Sequence, residues 1–130
     1  LGHLPSQGVL LLNTALTVEQ AKPESHLKIW EPFTEKLIKL LARQNKIAWC
    51  LWGAKALAFR GIIEKELLIL DDYLMEIEGK RIYNTYIISS HPSPLGANKP
   101  MKGYPAFIGS KPFSKVNSFL KEMGKTEIQW

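Results

Sequence analysis

Three short apolar runs recur along the chain, and each ends at small or polar residues. GVLLL at 8–12 ends at Asn13, IAWCLW at 47–52 ends at Gly53, and YII at 86–88 ends shortly before His91. Runs of this length that are apolar on both faces are typical of buried strands in a parallel sheet. The pattern therefore predicts strands at 8–12, 47–52 and 86–88.

Between these runs the apolar residues follow a helical period. One helix is predicted around Pro32, a residue that suits a first turn, and a weaker one over 54–65. The last helix is predicted between Ser110 as its N-cap and Gly124 as its stop. The apolar faces of the first and last helices comprise Trp30, Phe33, Leu37, Leu40 and Leu41, and Phe113, Val116, Leu120 and Met123 respectively.

The remaining stretch, 66–88, predicts a hairpin-like excursion, because EGK at 78–80 separates two β-prone runs, LMEIE and RIYNTYIIS. Alternating strands and helices predict a three-layer α/β/α sandwich with a mostly parallel sheet. Ligands bind beyond the carboxyl ends of such strands. The candidate segments are therefore 13–14, 53–54 and 91–95.

The composition fits a single globular domain over 1–130, with 45% hydrophobic and 22% charged residues. No apolar run approaches the roughly 20 residues of a membrane span, so no membrane partner is expected. A lone cysteine and no recognisable signal peptide favour an intracellular setting: the cytoplasm of a bacterium, or the nucleus or mitochondrion of a eukaryote. The chain opens without Met and close to an apolar run, so we expect a fragment or a processed form.

Charge is distributed unevenly, with a net of +4 over 1–63, −5 over 64–78 and +6 over 79–130. The basic last third suits a polyanion such as nucleic acid, although an ordinary solvated surface explains it equally well. Four lysines flank an aromatic segment at 103–107, an arrangement that suits a nucleic-acid backbone. These are Lys99, Lys102, Lys111 and Lys115.

The candidate segments carry groups with distinct chemistry. The amide of Asn13 matches the edge of a nucleobase, or it caps its own backbone. Pro92 and Pro94 stiffen a loop that fixes His91 and Ser93 and leaves Leu95 at its tip, although a purely structural turn has the same features. Gly53 and Ala54 open a helix that holds a phosphate, or they form only a tight turn. The three histidines are far apart in sequence, so we expect no metal and no cofactor.

Taken in order, GVLLLNTALTV at 8–18, WEPFTEKLI at 30–38, LWG at 51–53, HPSPLG at 91–96 and AFIGSKPFSKVNSFL at 106–120 resemble the C-terminal part of the family 1 uracil-DNA glycosylases. The resemblance covers nearly the whole chain except about 66–86, which is expanded. It implies a four-stranded parallel sheet whose central strand, between those at 8–12 and 47–52, is missing from this chain. It also implies a DNA partner, single- or double-stranded, and a monomer when complete.

The resemblance assigns roles residue by residue. Asn13 corresponds to the asparagine that reads uracil, and His91 to the histidine that stabilises the leaving base. Leu95 corresponds to the leucine that enters the base stack. Ser93, with Pro92 and Pro94 beside it, and the turn at Gly53 and Ala54 correspond to DNA-contacting loops. Ala54 and Gly96 stand where the family usually has serine, so each lacks a hydroxyl at a DNA backbone contact.

The family motif GQDPYH, whose aspartate positions the attacking water, has no counterpart here. Glu19 is the acidic residue nearest the strand ends along the chain, and a solvated loop carboxylate explains it as well as a catalytic base. Three hypotheses follow: a uracil-DNA glycosylase represented by its C-terminal part, a DNA-binding module without hydrolysis, or a structural fragment that a complementing N-terminal segment or partner chain must complete.

Overall fold

A computed structural model of the chain describes residues 2–13, 20, 27–44, 46–77 and 83–130. Within these ranges, a 3-10 turn at Pro5–Gln7 precedes helices and strands in alternation. In chain order the elements are α1 (Leu27–Ala42), β1 (Ala48–Trp52), α2 (Ala54–Leu57), α3 (Arg60–Ile77), β2 (Thr85–Ser89) and α4 (Pro112–Glu122).

The sheet pairs β1 with β2 in parallel, with Ala48 opposite Thr85 and Trp52 opposite Ser89. Side chains alternate between its two faces, and apolar residues lie on both. A strand that packs against helices on both sides reads as one continuous apolar run. The strands predicted at 47–52 and 86–88 are therefore confirmed.

Two apolar clusters, one on each face, hold the layers together. On one face, α4 and both ends of the chain form a cluster of Leu4, Ile87, Val116 and Ile128. On the other face, α1 and α3 pack against β1 in a cluster of Ile38, Ala42, Leu51 and Ile63. Helices thus cover the sheet from both sides, and the predicted three-layer α/β/α arrangement is confirmed.

Residues 9–13 adopt no regular secondary structure, so the strand predicted at 8–12 is wrong for the described chain. Val9 packs against the cluster of α4 and Leu12 against that of α1, while Leu10 and Leu11 are 60% and 58% exposed. A strand exists only through hydrogen bonds to a neighbouring strand. Within the described residues β1 pairs with β2 alone, so this segment has no strand to join. The four-stranded sheet stays a prediction.

The hairpin predicted over 66–88 is wrong as far as the structure describes it, because α3 continues to Ile77. Ile63 and Leu67, four residues apart, both pack in the cluster of α1 and α3. This helical spacing determines the conformation, and the short alternation in LMEIE does not compete with it. The predicted turn at 78–80 lies outside the described residues.

The first and last helices are confirmed, with differences in detail. Pro32 lies inside α1 rather than in its first turn, and the fully buried positions of that helix are Thr34, Ile38 and Ala42. Phe33 and Leu40, predicted for the apolar face, are 49% and 57% exposed. Lys111, not Ser110, precedes α4, and the Ser110 hydroxyl donates to the Phe107 carbonyl at 2.7 Å. Gly124 ends α4 as predicted, with φ of +72°.

Candidate functional site: the carboxyl ends of the two strands

Gly53 and His91 meet at the carboxyl end of the sheet, as the sequence predicts. The Gly53 N–H donates to the Ser89 carbonyl at 2.9 Å, which ties the end of β1 to the end of β2. Gly53 has φ of +95°, and a Cβ at this position would lie 3.2 Å from Cβ and 3.3 Å from Cδ2 of His91. Glycine therefore meets two requirements here, a left-handed backbone and close contact with the imidazole.

The His91 ring makes one hydrogen bond that fixes the role of each nitrogen. The Ser93 backbone N–H donates to Nδ1 of His91 at 3.0 Å. Because a backbone N–H is only a donor, Nδ1 acts as the acceptor, and in the neutral ring the hydrogen lies on Nε2. The ring thus offers one N–H donor at an exposed strand end.

A buried serine fixes the base of the His91 loop. The Ser90 hydroxyl donates to the Gly96 carbonyl at 2.7 Å and accepts from the Phe107 N–H at 2.9 Å. The Ser90 N–H donates to the Pro105 carbonyl at 3.0 Å. This side chain ties β2, the far end of the loop and the segment before α4 together. Sequence analysis missed Ser90, since a serine beside a strand end carries no distinctive pattern.

Leu95 stands at the tip of this loop with 88% of its surface exposed. The loop below it is closed by N–H donation from Gly96 and Ala97 to the Ser93 carbonyl, at 3.0 and 2.9 Å. Pro92 and Pro94 are exposed on the same loop. The Leu95 side chain therefore takes no part in the apolar core and is accessible at the tip of the loop.

The remaining predicted residues are less closely connected to His91. Asn13 is exposed and directly follows Leu12, which packs in the cluster that contains Leu51 of β1. Among the described residues, no hydrogen bond joins the Asn13 amide to the His91 ring. Ala54 is exposed and opens α2, directly after Gly53. Glu19 lies outside the described residues.

The basic segment before α4 has two lysines in left-handed backbone. Lys102 and Gly103, with φ of +48° and +83°, form a two-residue turn that is closed by mutual backbone hydrogen bonds between Met101 and Tyr104. Lys111 has φ of +51°. Two positive φ angles are the mark of a type I′ turn. This turn holds the Lys102 side chain out into solvent.

Arg60 is a second residue that sequence analysis missed. It bonds to Glu64 at 2.8 Å, donates to the Tyr104 hydroxyl at 3.0 Å, and lies 4.7 Å over the ring of Tyr86. It thereby anchors the two-residue turn to α3. A groove of about 450 Å³ beside it follows the outer edge of β2, and its lining includes neither His91 nor Gly53.

Over the ranges given above, no group of three or more histidine, cysteine or acidic residues is arranged to hold a metal ion. None of the helices in those ranges has the length and apolar character needed to cross a membrane.

Comparison with known proteins agrees with this geometry. Residues 1–121 match the sequence model described as the Uracil DNA glycosylase superfamily. A uracil-DNA glycosylase of Bacillus cytotoxicus is 45% identical over 129 residues, which are 95% of this chain and 46% of that protein. One from Alkaliphilus oremlandii is 45% identical over 127 residues, and one from Bacillus thuringiensis 42% over 127, with the same shares covered. The chain spans about half the length of these relatives, and it belongs to the uracil-DNA glycosylase superfamily.

Proposed function

We propose that this chain contributes the base-reading and leaving-group part of an enzyme that flips uracil out of DNA and hydrolyses its N-glycosidic bond. The observation that carries the proposal is the His91 loop. It combines an imidazole whose Nδ1 is already occupied with an exposed leucine four residues later. The three relatives named above are each called uracil-DNA glycosylase.

His91 supports the chemical step through its Nε2–H. Cleavage of the glycosidic bond leaves an oxocarbenium-like sugar and pushes negative charge onto the departing uracil. A hydrogen-bond donor held at uracil O2 stabilises that charge without accepting or delivering a proton in the step. Loss of such a donor typically raises the barrier by about 3–4 kcal/mol.

Asn13 is proposed to select the base. Its side-chain oxygen would accept from uracil N3–H and its NH₂ would donate to O4. Cytosine presents the opposite pattern, an acceptor at N3 and a donor at C4, so it would leave the amide unpaired. An unpaired buried polar group costs about 1–3 kcal/mol, which separates the two bases clearly.

The exposed loops are proposed to hold and distort the DNA. A base within a duplex is inaccessible, so it must leave the stack, and the side chain of Leu95 is long and apolar enough to fill the resulting gap. Ser93, Pro92, Pro94 and Gly96 of the loop after β2, together with Gly53 and Ala54, would contact the DNA backbone. Because Ala54 and Gly96 offer no hydroxyl, we expect weaker DNA affinity than in family members that have serine at these positions, with a smaller effect on base choice.

Hydrolysis needs a positioned water, and we propose that a complementing N-terminal segment or a partner chain supplies the group that holds it. Two features support this. Leu10 and Leu11 are exposed in a run that is typical of a buried strand, and β1 pairs with β2 alone within the described ranges. A strand inserted between residues 8–12 and β1 would cover the two leucines and would also pair with the second edge of β1. Without it, the chain would act as a DNA-binding module.

The proposed partner is uracil-containing DNA, single- or double-stranded, with the completed protein acting as a monomer. Because the substrate is DNA and the named relatives are bacterial, the proposed setting is the bacterial cytoplasm.

The test is release of uracil from a labelled oligonucleotide that carries a single uracil, using the whole gene product. We expect abasic sites to form, with a rate that falls in the His91→Ala variant. Binding to the same DNA is measured in parallel by fluorescence anisotropy. DNA binding without uracil release would favour a DNA-binding module over an enzyme. Uracil release that is insensitive to His91→Ala would contradict the proposed mechanism.

A further inference from the structure

We propose that residues 97–108 form an arm that binds the phosphate backbone of DNA beside the loop that carries Leu95. Lys102 lies at the tip of this arm and contacts a phosphate, and Arg60 positions the arm from α3. Because this role takes DNA as the partner, it rests on the proposed function. It adds a DNA contact outside the His91 loop and gives a role to a basic segment that the reaction itself does not use.

The base of the arm is fixed at the carboxyl end of the sheet. The Ile108 N–H donates to the Ala97 carbonyl at 2.9 Å, which closes the arm where it begins and ends. The Ser90 N–H, directly after β2, donates to the Pro105 carbonyl at 3.0 Å. The arm thus leaves the fold two residues after Leu95, next to the side chain that is proposed to enter the base stack.

The tip of the arm is a two-residue turn. Lys102 and Gly103 both have left-handed backbone, with φ of +48° and +83°. Met101 and Tyr104 exchange backbone hydrogen bonds across the turn, at 3.0 and 2.8 Å. A residue other than glycine is uncommon in this conformation and persists where the surrounding contacts hold it. Because Lys102 is exposed, the turn presents its ammonium group to solvent.

Arg60 holds this turn against α3. Its guanidinium donates to the Tyr104 hydroxyl at 3.0 Å and lies 4.7 Å over the ring of Tyr86 in β2. Nε of Arg60 donates to the Glu64 carboxylate at 2.8 Å, so the charge of Arg60 is balanced within the protein. Arg60 is therefore a positioning residue, and the charge available to a ligand belongs to the lysines.

The positive charge of this region has no counterpart nearby in the sequence. Lys99, Lys102 and Lys111 are exposed, and no aspartate or glutamate occurs between Glu78 and Glu122. Among the described residues, none of these lysines takes part in an ion pair. A DNA strand carries a phosphate about every 3.4 Å, so its backbone can pair with several lysines of one extended segment.

The third of these lysines brings the charge next to Gly53. Trp52, the residue before Gly53, packs edge to face against Phe107 and Phe113, with ring centroids 5.1 and 6.1 Å apart. Lys111 lies between these two phenylalanines along the chain and has left-handed backbone, with φ of +51°. The positive charge thus continues from the arm to the strand end where the DNA backbone is proposed to bind.

The experiment measures the salt dependence of DNA binding in the whole gene product, by fluorescence anisotropy on duplexes with and without uracil. Loss of one phosphate contact lowers the slope of log Kd against log salt concentration by about 0.9. Lys102→Gln is compared with Lys121→Gln, which removes the same charge from the last turn of α4. Because α4 begins beside Trp52 and rises about 1.5 Å per residue, Lys121 lies roughly 12 Å further along the helix than Phe113.

A second pair of variants tests the anchor. Tyr104→Phe removes only the hydroxyl that accepts from Arg60. Tyr86→Phe removes a hydroxyl that has no hydrogen-bond partner among the described residues, and it keeps the ring beneath Arg60. Both variants keep every lysine, and kcat and KM on duplex uracil DNA are measured alongside binding.

We expect Lys102→Gln to weaken binding of uracil-free duplex by roughly 3- to 10-fold at low salt and to lower the slope by about 0.9. Its deficit relative to the wild type should therefore shrink by about 3.5-fold when the salt concentration rises from about 50 to about 200 mM. Tyr104→Phe should weaken binding by a smaller factor, and its loss in kcat/KM should fall on KM. Lys121→Gln and Tyr86→Phe should match the wild type.

A wild-type slope in Lys102→Gln, or an equal loss of affinity in Lys121→Gln, would overturn the arm. Wild-type affinity in Tyr104→Phe would overturn the positioning role of Arg60. The proposed function fails differently, because phosphate contacts do not depend on uracil. A gene product that releases no uracil but shows the change of slope on uracil-free duplex would keep the arm and lose the enzymatic assignment.

Discussion

At the scale of single residues, the loop after β2 carries two side chains for which we propose separate tasks. His91 presents an N–H donor near the sheet, whereas Leu95 projects into solvent at the tip. Charge stabilisation acts on the chemical step, and stack insertion acts on the step that exposes the base. Their substitution should therefore produce different kinetic defects.

We expect His91→Ala to lower single-turnover cleavage by roughly 10²–10³-fold on single- and double-stranded DNA alike, with DNA binding little changed. Leu95→Ala should impair cleavage mainly in duplex DNA, because a single strand has no partner strand to restack against. Single-turnover rates on matched single- and double-stranded oligonucleotides check both. Equal losses on the two substrates for Leu95→Ala would exclude its role as a wedge.

Asn13→Asp tests base selection. A carboxylate has no NH₂ group to donate to uracil O4, so uracil cleavage should fall, while a protonated carboxyl would match cytosine. Release of uracil and of cytosine from defined oligonucleotides measures this change in base preference. Asn98→Asp, at an exposed position of the loop before the basic turn, is the control for added negative charge. Unchanged uracil release in Asn13→Asp would remove Asn13 from the site.

Cys50 provides a pH-dependent test of the core. Burial raises the pKa of its thiol from 9.0 to about 11. Since the folded pKa is the higher one, this contribution to stability is fully present below pH 9 and is lost as the pH rises through about 11. Two pKa units correspond to at most about 3 kcal/mol. The difference in urea midpoint between the wild type and Cys50→Ala should shrink between pH 8 and pH 10.5, and a constant difference would contradict a buried thiol.

Sequence analysis located His91, Gly53 and Leu95, because each lies at the end of a recognisable apolar run or on a proline-bounded loop. It did not identify Ser90 or Arg60. Their partners, Phe107 and Tyr104, are 17 and 44 residues away along the chain. A single sequence contains local periodicity but no record of which distant groups a hydroxyl or guanidinium meets.

At the scale of elements, Ser90 couples β2 to the two segments that follow it. We expect Ser90→Ala to destabilise the fold by about 1–3 kcal/mol, because the half-buried Phe107 N–H and Gly96 carbonyl both lose their partner. Urea unfolding measures the change, and Ser118→Ala on the exposed side of α4 serves as the control. Equal midpoints for the two variants would show that the Ser90 contacts contribute no net stability.

The two wrong element predictions have different physical causes. In 66–88 the alternation of apolar and acidic residues in LMEIE covers only five residues, whereas α3 extends over 18. The longer helical pattern therefore determines the conformation. Residues 8–12 are apolar as a strand requires, but a strand also needs a neighbouring strand for its backbone hydrogen bonds. Composition does not show whether that neighbour is present. Local pattern therefore predicts helices more securely than it predicts strands.

At the scale of the whole molecule, apolar side chains are exposed on several elements. Beyond Leu10 and Leu11, α1 exposes Ile29, Phe33 and Leu40, and α3 exposes Leu68 and Ile69. Contiguous apolar surface and open sheet edges both promote association. Residues 1–130 alone should therefore unfold at low denaturant or aggregate, and should show no glycosylase activity.

Supplying an N-terminal segment that carries the family motif GQDPYH, in trans or as a fusion, should raise the urea midpoint and permit uracil release. The same segment with the aspartate of that motif replaced by asparagine should restore stability without turnover. Robust uracil release by residues 1–130, confirmed intact by mass spectrometry, would overturn this prediction and would point to Glu19 as the base.

The cluster beneath α4 contains Leu4 and Ile128, and the Gln7 side chain bonds to both the N–H and the carbonyl of Gln129. These contacts join positions more than 120 residues apart, which delays their formation. During synthesis, the cluster on this face of the sheet becomes complete only after Ile128 has been added to the chain. Until then part of its apolar surface stays uncovered, which is the condition that favours aggregation of a nascent chain and its binding by chaperones.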